Sequence, residues 1–178
     1  FRSNATLNVD LIDWGRPDNN NHRYSLTGVI TTSAFPTVRQ LVGKTGGETS
    51  KAIRSMVAEV ERLSSTTKAQ PYKVERIHKD QGSEFKSEHL EDCARELIMS
   101  TTGEENRHTD CAVVEGFNKT LEHTATALAL TAISNPDHAI ELHGELSRQA
   151  TKLIRLRART AFQKEAGISA WREQTLTN

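Results

Sequence analysis

Two different periods occur in the hydrophobic pattern of this chain. Residues 6–12 alternate apolar and polar side chains with a period of two, which is typical of a half-buried strand. Apolar residues in the segment 48–64 recur at intervals of three and four, which is typical of an amphipathic helix. The complete pattern predicts strands at residues 6–12, 24–32, 35–42 and 72–78, and helices at residues 48–64, 88–99, 111–133 and 138 to about 164.

The order of these elements is typical of the α/β class. Residues 100–110 carry no apolar side chain that would anchor them to a core, so they are expected to form a mobile loop. Pro36 indicates an edge or a kink in the third strand, because proline cannot donate to a neighbouring strand. We expect one domain over residues 1–164 and a polar tail over residues 165–178.

Composition narrows the possible classes of function. The 23 basic and 23 acidic residues cancel, so contact with nucleic acid has to come from local patches. An aromatic content of 5% argues against recognition through many base-stacking platforms. Cys93 and Cys111 form neither a zinc-ligand spacing nor a disulfide framework, which fits an intracellular protein. The patterns of a transmembrane helix and of a signal peptide are both missing, so no membrane partner is expected.

Three acidic residues stand out by their positions in the predicted elements. Asp80 follows the fourth strand, and Glu115 lies near the start of the helix predicted over residues 111–133. Asp10 lies on the first strand. Carboxylates in these places can bind two divalent metal ions about 4 Å apart, and such a pair catalyses the cutting and joining of phosphodiesters. The pattern therefore indicates metal-dependent phosphoryl transfer.

Each acidic residue also has a purely structural interpretation. An aspartate shortly before a glycine is common in turns, which would account for Asp80 and Gly82. A glutamate in the first turn of a helix interacts favourably with the helix dipole, which would account for Glu115. Asp13 lies near the same strand end as Asp10 and is an alternative first carboxylate.

The segments around these residues resemble a known family. Residues 80–85 read Asp-x-Gly-x-Glu-Phe, and residues 113–121 read Val-Val-Glu-x-x-Asn-Lys-x-Leu. These sequence motifs resemble those in the catalytic core of retroviral and retrotransposon integrases, above all the copia-like branch. The resemblance covers residues 5–160. The resemblance implies an RNase H-like fold, an α/β architecture with a mixed central sheet flanked by helices, and DNA integration as the activity.

The resemblance also implies a catalytic triad. Asp10, Asp80 and Glu115 would be the catalytic residues and the ligands of two Mg²⁺ or Mn²⁺ ions. The family pattern has its first aspartate inside strand one after an apolar residue, which favours Asp10 over Asp13. Water would attack first and trim a DNA end, and the 3′-hydroxyl of that end would then attack target DNA.

The resemblance to integrases also implies the binding partners of the protein and its location in the cell. Asn118 and Lys119 match positions that contact DNA phosphates in the family, although both also fit a solvated helix face. The partners would be element ends, target DNA and further copies of the chain in a homo-oligomer. The location would be the nucleus or a retrotransposon virus-like particle. The alternatives are an RNase H-like nuclease or DDE transposase of other specificity, and a catalytically inactive DNA-binding remnant.

Several positions depart from the copia-like pattern. Residues 30–34 stand where Asp-Asp-x-Ser-Arg is common, and Cys111-Ala112 stands where Asn-Gly is usual. Gly116 replaces a frequent arginine, and Glu122 occupies a position that is basic in some integrases. These changes bear on DNA affinity more than on the metal site, because all three carboxylates are present.

The last predicted helix carries a run of basic residues. Such a run either faces solvent or lines DNA or an oligomer interface. Its members are Arg148, Lys152, Arg155, Arg157, Arg159 and Lys164.

Overall fold

The structure is a computed structural model that describes residues 3–31, 33–65, 72–79, 93, 95, 100–102, 108–132 and 136–166. Within these ranges the strands are β1 (Ser3–Asp13), β2 (Tyr24–Ile30), β3 (Phe35–Leu41), β4 (Tyr72–Lys79) and β5 (Ser100–Thr102). The helices are α1 (Gly46–Ser65), α2 (His108–Ala132), α3 (Pro136–Glu141) and α4 (His143–Ala166).

The strands form one sheet in the order β3-β2-β1-β4-β5. β1, β2 and β3 pair antiparallel with their neighbours, whereas β4 is parallel to β1 and β5 is parallel to β4. The segment that contains α1 connects β3 to β4. A mixed sheet flanked by helices confirms the RNase H-like α/β fold that was expected.

Periodicity located most of these elements correctly. The four expected strands and the helix expected over residues 48–64 are present, with ends that differ by a few residues. The helix expected over residues 111–133 begins earlier, at His108. Cys93 and Arg95 are helical, and the rest of the helix expected over residues 88–99 lies outside the described residues.

Two expectations about segments after β4 were wrong. Residues 100–102 form β5 rather than part of a loop, because β4 supplies parallel backbone partners for side chains that are all polar. The helix expected from residue 138 is two helices, α3 and α4, with a turn at Leu142. The loop between β1 and β2 forms a hydrogen bond with the last residue of α3, because the N–H of Asn19 donates to the carbonyl of Glu141 at 2.8 Å. Residues 103–107 lie outside the described ranges.

Helix α1 begins at a side-chain cap. Thr45 Oγ1 lies 3.3 Å from the backbone nitrogen of Glu48, which donates to it, and 3.2 Å from Glu48 Oε2. These contacts satisfy a backbone donor that the first helical turn leaves without a partner. Along the helix, apolar side chains at helical spacing are buried against the sheet, namely Ala52, Ile53, Met56, Val57 and Val60.

The sheet has a buried cluster on each side. On the α1 side, Leu7 and Val9 of β1 pack with Leu26, Ile53 and Met56. On the other side, α2 and α4 cover the sheet with a second cluster, made of Ile12, Val29, Val38, Val114, Phe117, Leu121, Ala125 and Ala150. None of the described helices is long and apolar enough to cross a membrane.

One extra residue in β4 sets which side chains face α1. The parallel pairing of β1 with β4 shifts between Ala5 and Thr6, so Glu75 has no opposite residue. Because side chains alternate along a strand, this irregularity places both Val74 and Ile77 in the cluster on the α1 side. Uninterrupted alternation would have turned one of them to the other side.

Pro36 lies on β3, at the edge of the described sheet, as its sequence indicated. The Nε of Arg155 donates to the carbonyl of Pro36 at 2.8 Å. The guanidinium of Arg39 donates to the carbonyl of Val38, also at 2.8 Å. These side chains occupy backbone acceptors of an edge strand, which disfavours pairing with a strand of another molecule.

Candidate active site

Asp10 lies on β1 and is turned toward α2. Its backbone is paired with Thr27 of β2, whose hydroxyl donates to the carbonyl of Asp10 at 3.0 Å. The Oδ1 of Asp10 accepts the N–H of Leu11 at 2.8 Å. Neighbouring β1 residues Leu7 and Val9 belong to the cluster on the α1 side, and alternation puts Asp10 on the opposite side. The carboxylate therefore lies where the second layer of helices covers the sheet.

The side chain of Asn118 on α2 reaches this carboxylate. Its Nδ2 donates to Asp10 Oδ2 at 2.6 Å across 108 positions of sequence. The rotation of α2 makes this contact possible, because Val114, Phe117 and Leu121 are buried against the sheet and Asn118 lies beside them, half-buried. Among the described residues, no group donates a hydrogen bond to its buried Oδ1.

Glu115 and Lys119 flank Asn118 on the same helix, and both are exposed. Residues three or four positions apart on a helix have Cβ atoms about 5–6 Å from each other. Glu115 therefore lies one turn before the residue that binds Asp10. Its side chain points to solvent, so the structure brings Asn118 rather than Glu115 onto the aspartate.

Asp80 lies outside the described residues, and the expected convergence of Asp10, Asp80 and Glu115 stays a prediction. The described part of β4 ends at Lys79, which lies opposite Val9 of β1 in the parallel pairing. The next residue in each chain segment is an aspartate, Asp10 in one and Asp80 in the other.

The alternative first carboxylate, Asp13, has a different environment. It is exposed at the end of β1 and accepts two hydrogen bonds from the guanidinium of Arg23, at 2.8 and 2.9 Å. The hydrogen bond from Arg23, together with one from the N–H of Gly15, lowers the pKa of Asp13. Three positions separate Asp10 and Asp13, so alternation turns them to opposite faces of the strand. The geometry thus favours Asp10 as the carboxylate beside α2.

The basic run of α4 does not form a single charged surface. Arg155 is largely buried, 3.0 Å from Glu59 of α1, and its guanidinium lies 4.5 Å from the ring centre of Phe35. Burial lowers the pKa of Arg155, and it also opposes ionisation of Glu59. The pKa of Glu59 is nevertheless lowered, because Arg155, Thr37 and Arg39 together outweigh its burial. Arg155 therefore joins two helices across the sheet edge instead of lining a DNA surface.

The other described basic residues of α4 are at the surface. Arg148 is bound to Glu145 at 2.6 Å, one helical turn away, and Lys152 is exposed. The side chains of Arg157, Arg159 and Lys164 lie outside the described ones, so the expectation for them stays a prediction. Glu84 and Phe85, which belong to the motif around Asp80, are also outside the described residues.

Sequence reasoning missed a polar layer on the side of the sheet that carries Asp10. Asn8 is buried, and its Nδ2 donates to Thr31 Oγ1 at 2.6 Å. His78 of β4 lies opposite Asn8 and is also buried. The signal was present in β1, where Thr6, Asn8 and Asp10 alternate with apolar residues, but alternation alone describes a solvated face equally well.

Carboxylate oxygens are a ligand type that Mg²⁺ takes, and the described part of the site has two carboxylates, Asp10 and, on α2, Glu115. Asn118 turns its amide nitrogen to Asp10, so its oxygen does not face the carboxylate. Among the described residues, no three histidine, cysteine, aspartate or glutamate side chains lie together as a metal-binding group. The third carboxylate of the expected set, Asp80, is not among them.

The fold defines the class of the chain as an α/β domain with an RNase H-like architecture. No protein-family model matches the sequence, and no curated protein matches it either. Among solved structures, one similar chain comes from the cryo-EM structure of the simian T-cell lymphotropic virus intasome in complex with PP2A regulatory subunit B56 gamma. The TM-score is 0.59 at 17% sequence identity, over 80% of this chain and 47% of that chain. At this identity the likeness shows a shared fold.

Proposed function

We propose that this chain is the catalytic core of a retrotransposon-type DNA integrase. The observation that carries the proposal is the hydrogen bond from Asn118 to Asp10, because it puts the Val-Val-Glu-x-x-Asn-Lys helix on the end of the first strand. The first strand and this helix, far apart in sequence, are thereby adjacent in space. The fold, which is shared with a chain of a retroviral intasome structure, supports the same function.

Asp10, Asp80 and Glu115 are the residues proposed to hold two Mg²⁺ or Mn²⁺ ions. The pairing of Val9 with Lys79 supports the first two, since one further step along each strand leads to Asp10 and Asp80. The position of Glu115 one helical turn from Asn118 supports the third. When bound, the ions would neutralise charge and polarise the attacking and leaving oxygens of an in-line displacement at phosphorus.

The protein's own contribution is to place these groups and the DNA. Asp10 is held by the backbone of β1 and by Asn118, so its carboxylate has a defined direction. Lys119 is exposed beside the site and is proposed to bind a phosphate of the DNA. No side chain needs to form a covalent intermediate, because the nucleophile is water in end trimming and a DNA 3′-hydroxyl in strand transfer.

The proposed partners are the DNA ends of the element, target DNA and further copies of the chain. The proposed location is the nucleus or a virus-like particle. The chain spans about half of the similar intasome-structure chain, so full integration is proposed for an assembly rather than for this domain alone. The two activities that the domain itself would supply are end trimming and strand transfer.

The decisive variant is Glu115→Gln, which keeps the size of the side chain and removes its charge. We expect Mg²⁺-dependent cleavage and joining of a DNA end to fall at least about 100-fold, the scale seen when a key electrostatic group is removed. Thermal unfolding should change little, because a glutamate near a helix start contributes only about 0.3–1 kcal/mol through the dipole.

Glu122→Gln is the matched control, since it makes the same change at another exposed position of the same helix, two turns further on. It should retain activity. Loss of activity in Glu122→Gln with full activity in Glu115→Gln would show that the wrong glutamate was assigned. Cleavage of any DNA without joining of ends would indicate a nuclease, and inactivity of the parent chain with every DNA end would favour the DNA-binding remnant.

A further inference from the structure

We propose that Asn118 is a positioning residue for Asp10 and that it does not act as a phosphate contact. This inference rests on the proposed function, because it assigns a role within the same metal site. It starts from two hydrogen bonds to Asp10 whose donors lie on different elements. The N–H of Leu11 holds Oδ1 at 2.8 Å, and the amide of Asn118 holds Oδ2 at 2.6 Å.

The two donors restrict the carboxylate in complementary ways. The terminal torsion of an aspartate has a broad energy minimum, so the plane of the carboxylate is poorly defined by the side chain alone. A backbone donor on β1 fixes one oxygen relative to the strand. A donor on α2 fixes the other relative to the helix that carries Glu115. The direction in which Asp10 presents its oxygens therefore depends on how α2 packs.

The packing of α2 fixes the position of Asn118 beside Asp10. Val114 and Leu121 are almost completely buried on either side of it along the helix, which sets the rotation of this segment. The Oδ1 of Asn118 is enclosed, and an oxygen acceptor cannot bind a phosphate oxygen. Its Nδ2 carries two N–H donors, and the nitrogen is held 2.6 Å from Asp10 Oδ2, so one of them is given to the carboxylate.

Lys119 has the properties that Asn118 lacks for contact with DNA. It is exposed, it is positively charged, and it lies next to the site on the same helix. The two adjacent residues thus have separate roles. Asn118 is directed inward and orients the carboxylate of Asp10, and Lys119 is directed outward and contacts phosphate. A neutral amide is suited to the first task, because it orients an anion without adding a positive charge that would compete with a metal ion.

The test compares binding of Mn²⁺ with binding of DNA. Asn118→Leu keeps a similar volume and removes the donor, and Lys119→Ala removes the adjacent charge. Mn²⁺ binding to the protein without DNA is followed by electron paramagnetic resonance. DNA binding is followed as a function of salt concentration without metal. The parent chain and Asp10→Asn establish which part of Mn²⁺ binding depends on the aspartate.

Asn118→Leu is expected to weaken Asp10-dependent Mn²⁺ binding about 10–100-fold, the range found when partners of metal ligands are removed, and to leave the salt dependence of DNA binding unchanged. Lys119→Ala is expected to do the reverse, with unchanged Mn²⁺ affinity and a salt slope smaller by about one phosphate contact. A purely structural role of Asn118 would lower the unfolding temperature without producing this separation.

Two results overturn the proposal in different ways. If Mn²⁺ binding depends on Asp10 but is the same in Asn118→Leu, the positioning role is wrong and the proposed function stands. If the parent binds no Mn²⁺ through Asp10, the metal site and the positioning role both fail. Asn118→Ala, which adds no volume, replaces Asn118→Leu if the leucine variant does not fold, and the same two criteria apply to it.

Discussion

The two sides of the sheet differ in what they bury. On the α1 side the largest members of the apolar cluster, such as Leu7, Ile53 and Met56, are fully enclosed, and buried polar groups such as Thr37 lie on α1 or on the edge strand β3. On the side of α2 and α4, apolar residues share the interior with Asn8, Thr27 and the Asp10–Asn118 pair. One face of the sheet therefore supplies mainly stability, and the other combines packing with polar groups at defined positions.

Several buried polar groups on this side bind one another, although the enclosed Oδ1 of Asn118 has no donor among the described residues. Ser25 illustrates this arrangement, since its hydroxyl accepts the indole N–H of Trp14 and donates to Gln40, both at 2.7 Å. A buried polar group without a partner costs more free energy than its hydrogen bond contributes when formed. Each such position on this side thus requires a particular neighbour, whereas the apolar side requires mainly the correct volume.

The largest effect on stability is expected from the apolar side. Ile53→Ala removes a fully buried side chain and should lower the free energy of unfolding by about 2–5 kcal/mol, measured by urea denaturation. Asp10→Asn is the comparison on the polar side, and it should abolish metal-dependent activity with a much smaller loss of stability. A loss of less than about 1 kcal/mol in Ile53→Ala would contradict the distinction between the two sides.

Arg155 connects the two sides across the edge strand. Arg155→Gln removes its contact with Glu59 at 3.0 Å and should cost about 1–3 kcal/mol, because a partly buried carboxylate loses a partner. Arg148→Gln, which breaks an exposed pair on the same helix, should cost no more than about 0.5 kcal/mol. If the two substitutions lower the thermal stability equally, the contact between Arg155 and Glu59 contributes no more than an exposed ion pair.

The polar side should also be the more sensitive to pH. Burial lowers the pKa of His143 below its ordinary value, although the carbonyl of Arg16, 3.0 Å from its Nε2, opposes this shift. The folded protein thus binds this proton less readily than the unfolded chain. The neutral ring contributes stability above a pH of about 6.5, and that contribution is lost as the pH falls from there through the folded pKa.

Unfolding free energies of the parent and His143→Gln, compared between pH 7.5 and pH 5, would reveal this contribution. The difference in the free energy of unfolding between the parent and His143→Gln should become smaller as the pH falls. Emission of Trp14, whose ring stacks on His143 at 5.2 Å, can follow the same titration in a Trp171→Phe background. If the difference in the free energy of unfolding grows toward low pH, the pKa of His143 is raised on folding and the stated direction is wrong.

The smallest effect is expected at Gly116 on α2. A Cβ at this position would meet open space, so Gly116→Ala should raise the free energy of unfolding by about 0.5–1 kcal/mol through helix propensity. Gly28 on β2 is the contrasting position, because a Cβ there would lie 3.1 Å from Leu7 Cδ1 and 3.2 Å from Met56 Sδ. Gly28→Ala should not stabilise the protein. Equal gains at both glycines would argue against tight packing on the α1 side.

Much of the fold was predictable because its elements have local signals. Alternation in β1 and helical spacing in α1 each reflect the face that an element buries. β5 had no such signal, because its three residues, Ser100, Thr101 and Thr102, are all polar. They form a strand through backbone pairing with β4. The break between α3 and α4 was missed for a similar reason, as it depends on a contact with the loop that follows β1.

The candidate site was predictable only as a set of residue types. Two motifs singled out Asp80, Glu115, Asn118 and Lys119, and the place of Asp10 in the first strand added a fifth residue. Neither signal showed which side chains would be in contact. Asn118 was expected to contact DNA, which stays a prediction, and the structure shows a bond to Asp10 that the motif did not indicate. This contact depends on the rotation of α2 against the sheet, which is set by residues of both elements together.

The amino-acid sequence by itself determined where most of the strands and helices form and which chemical groups they carry, because periodicity and turn residues act over a few positions. The tertiary structure decided the register between β1 and β4, the extra residue at Glu75 and the pairing of Asp10 with Asn118. These features join segments that are distant along the chain. Their free energy comes from packing and hydrogen bonds that exist only when both segments are in place, so no local pattern encodes them.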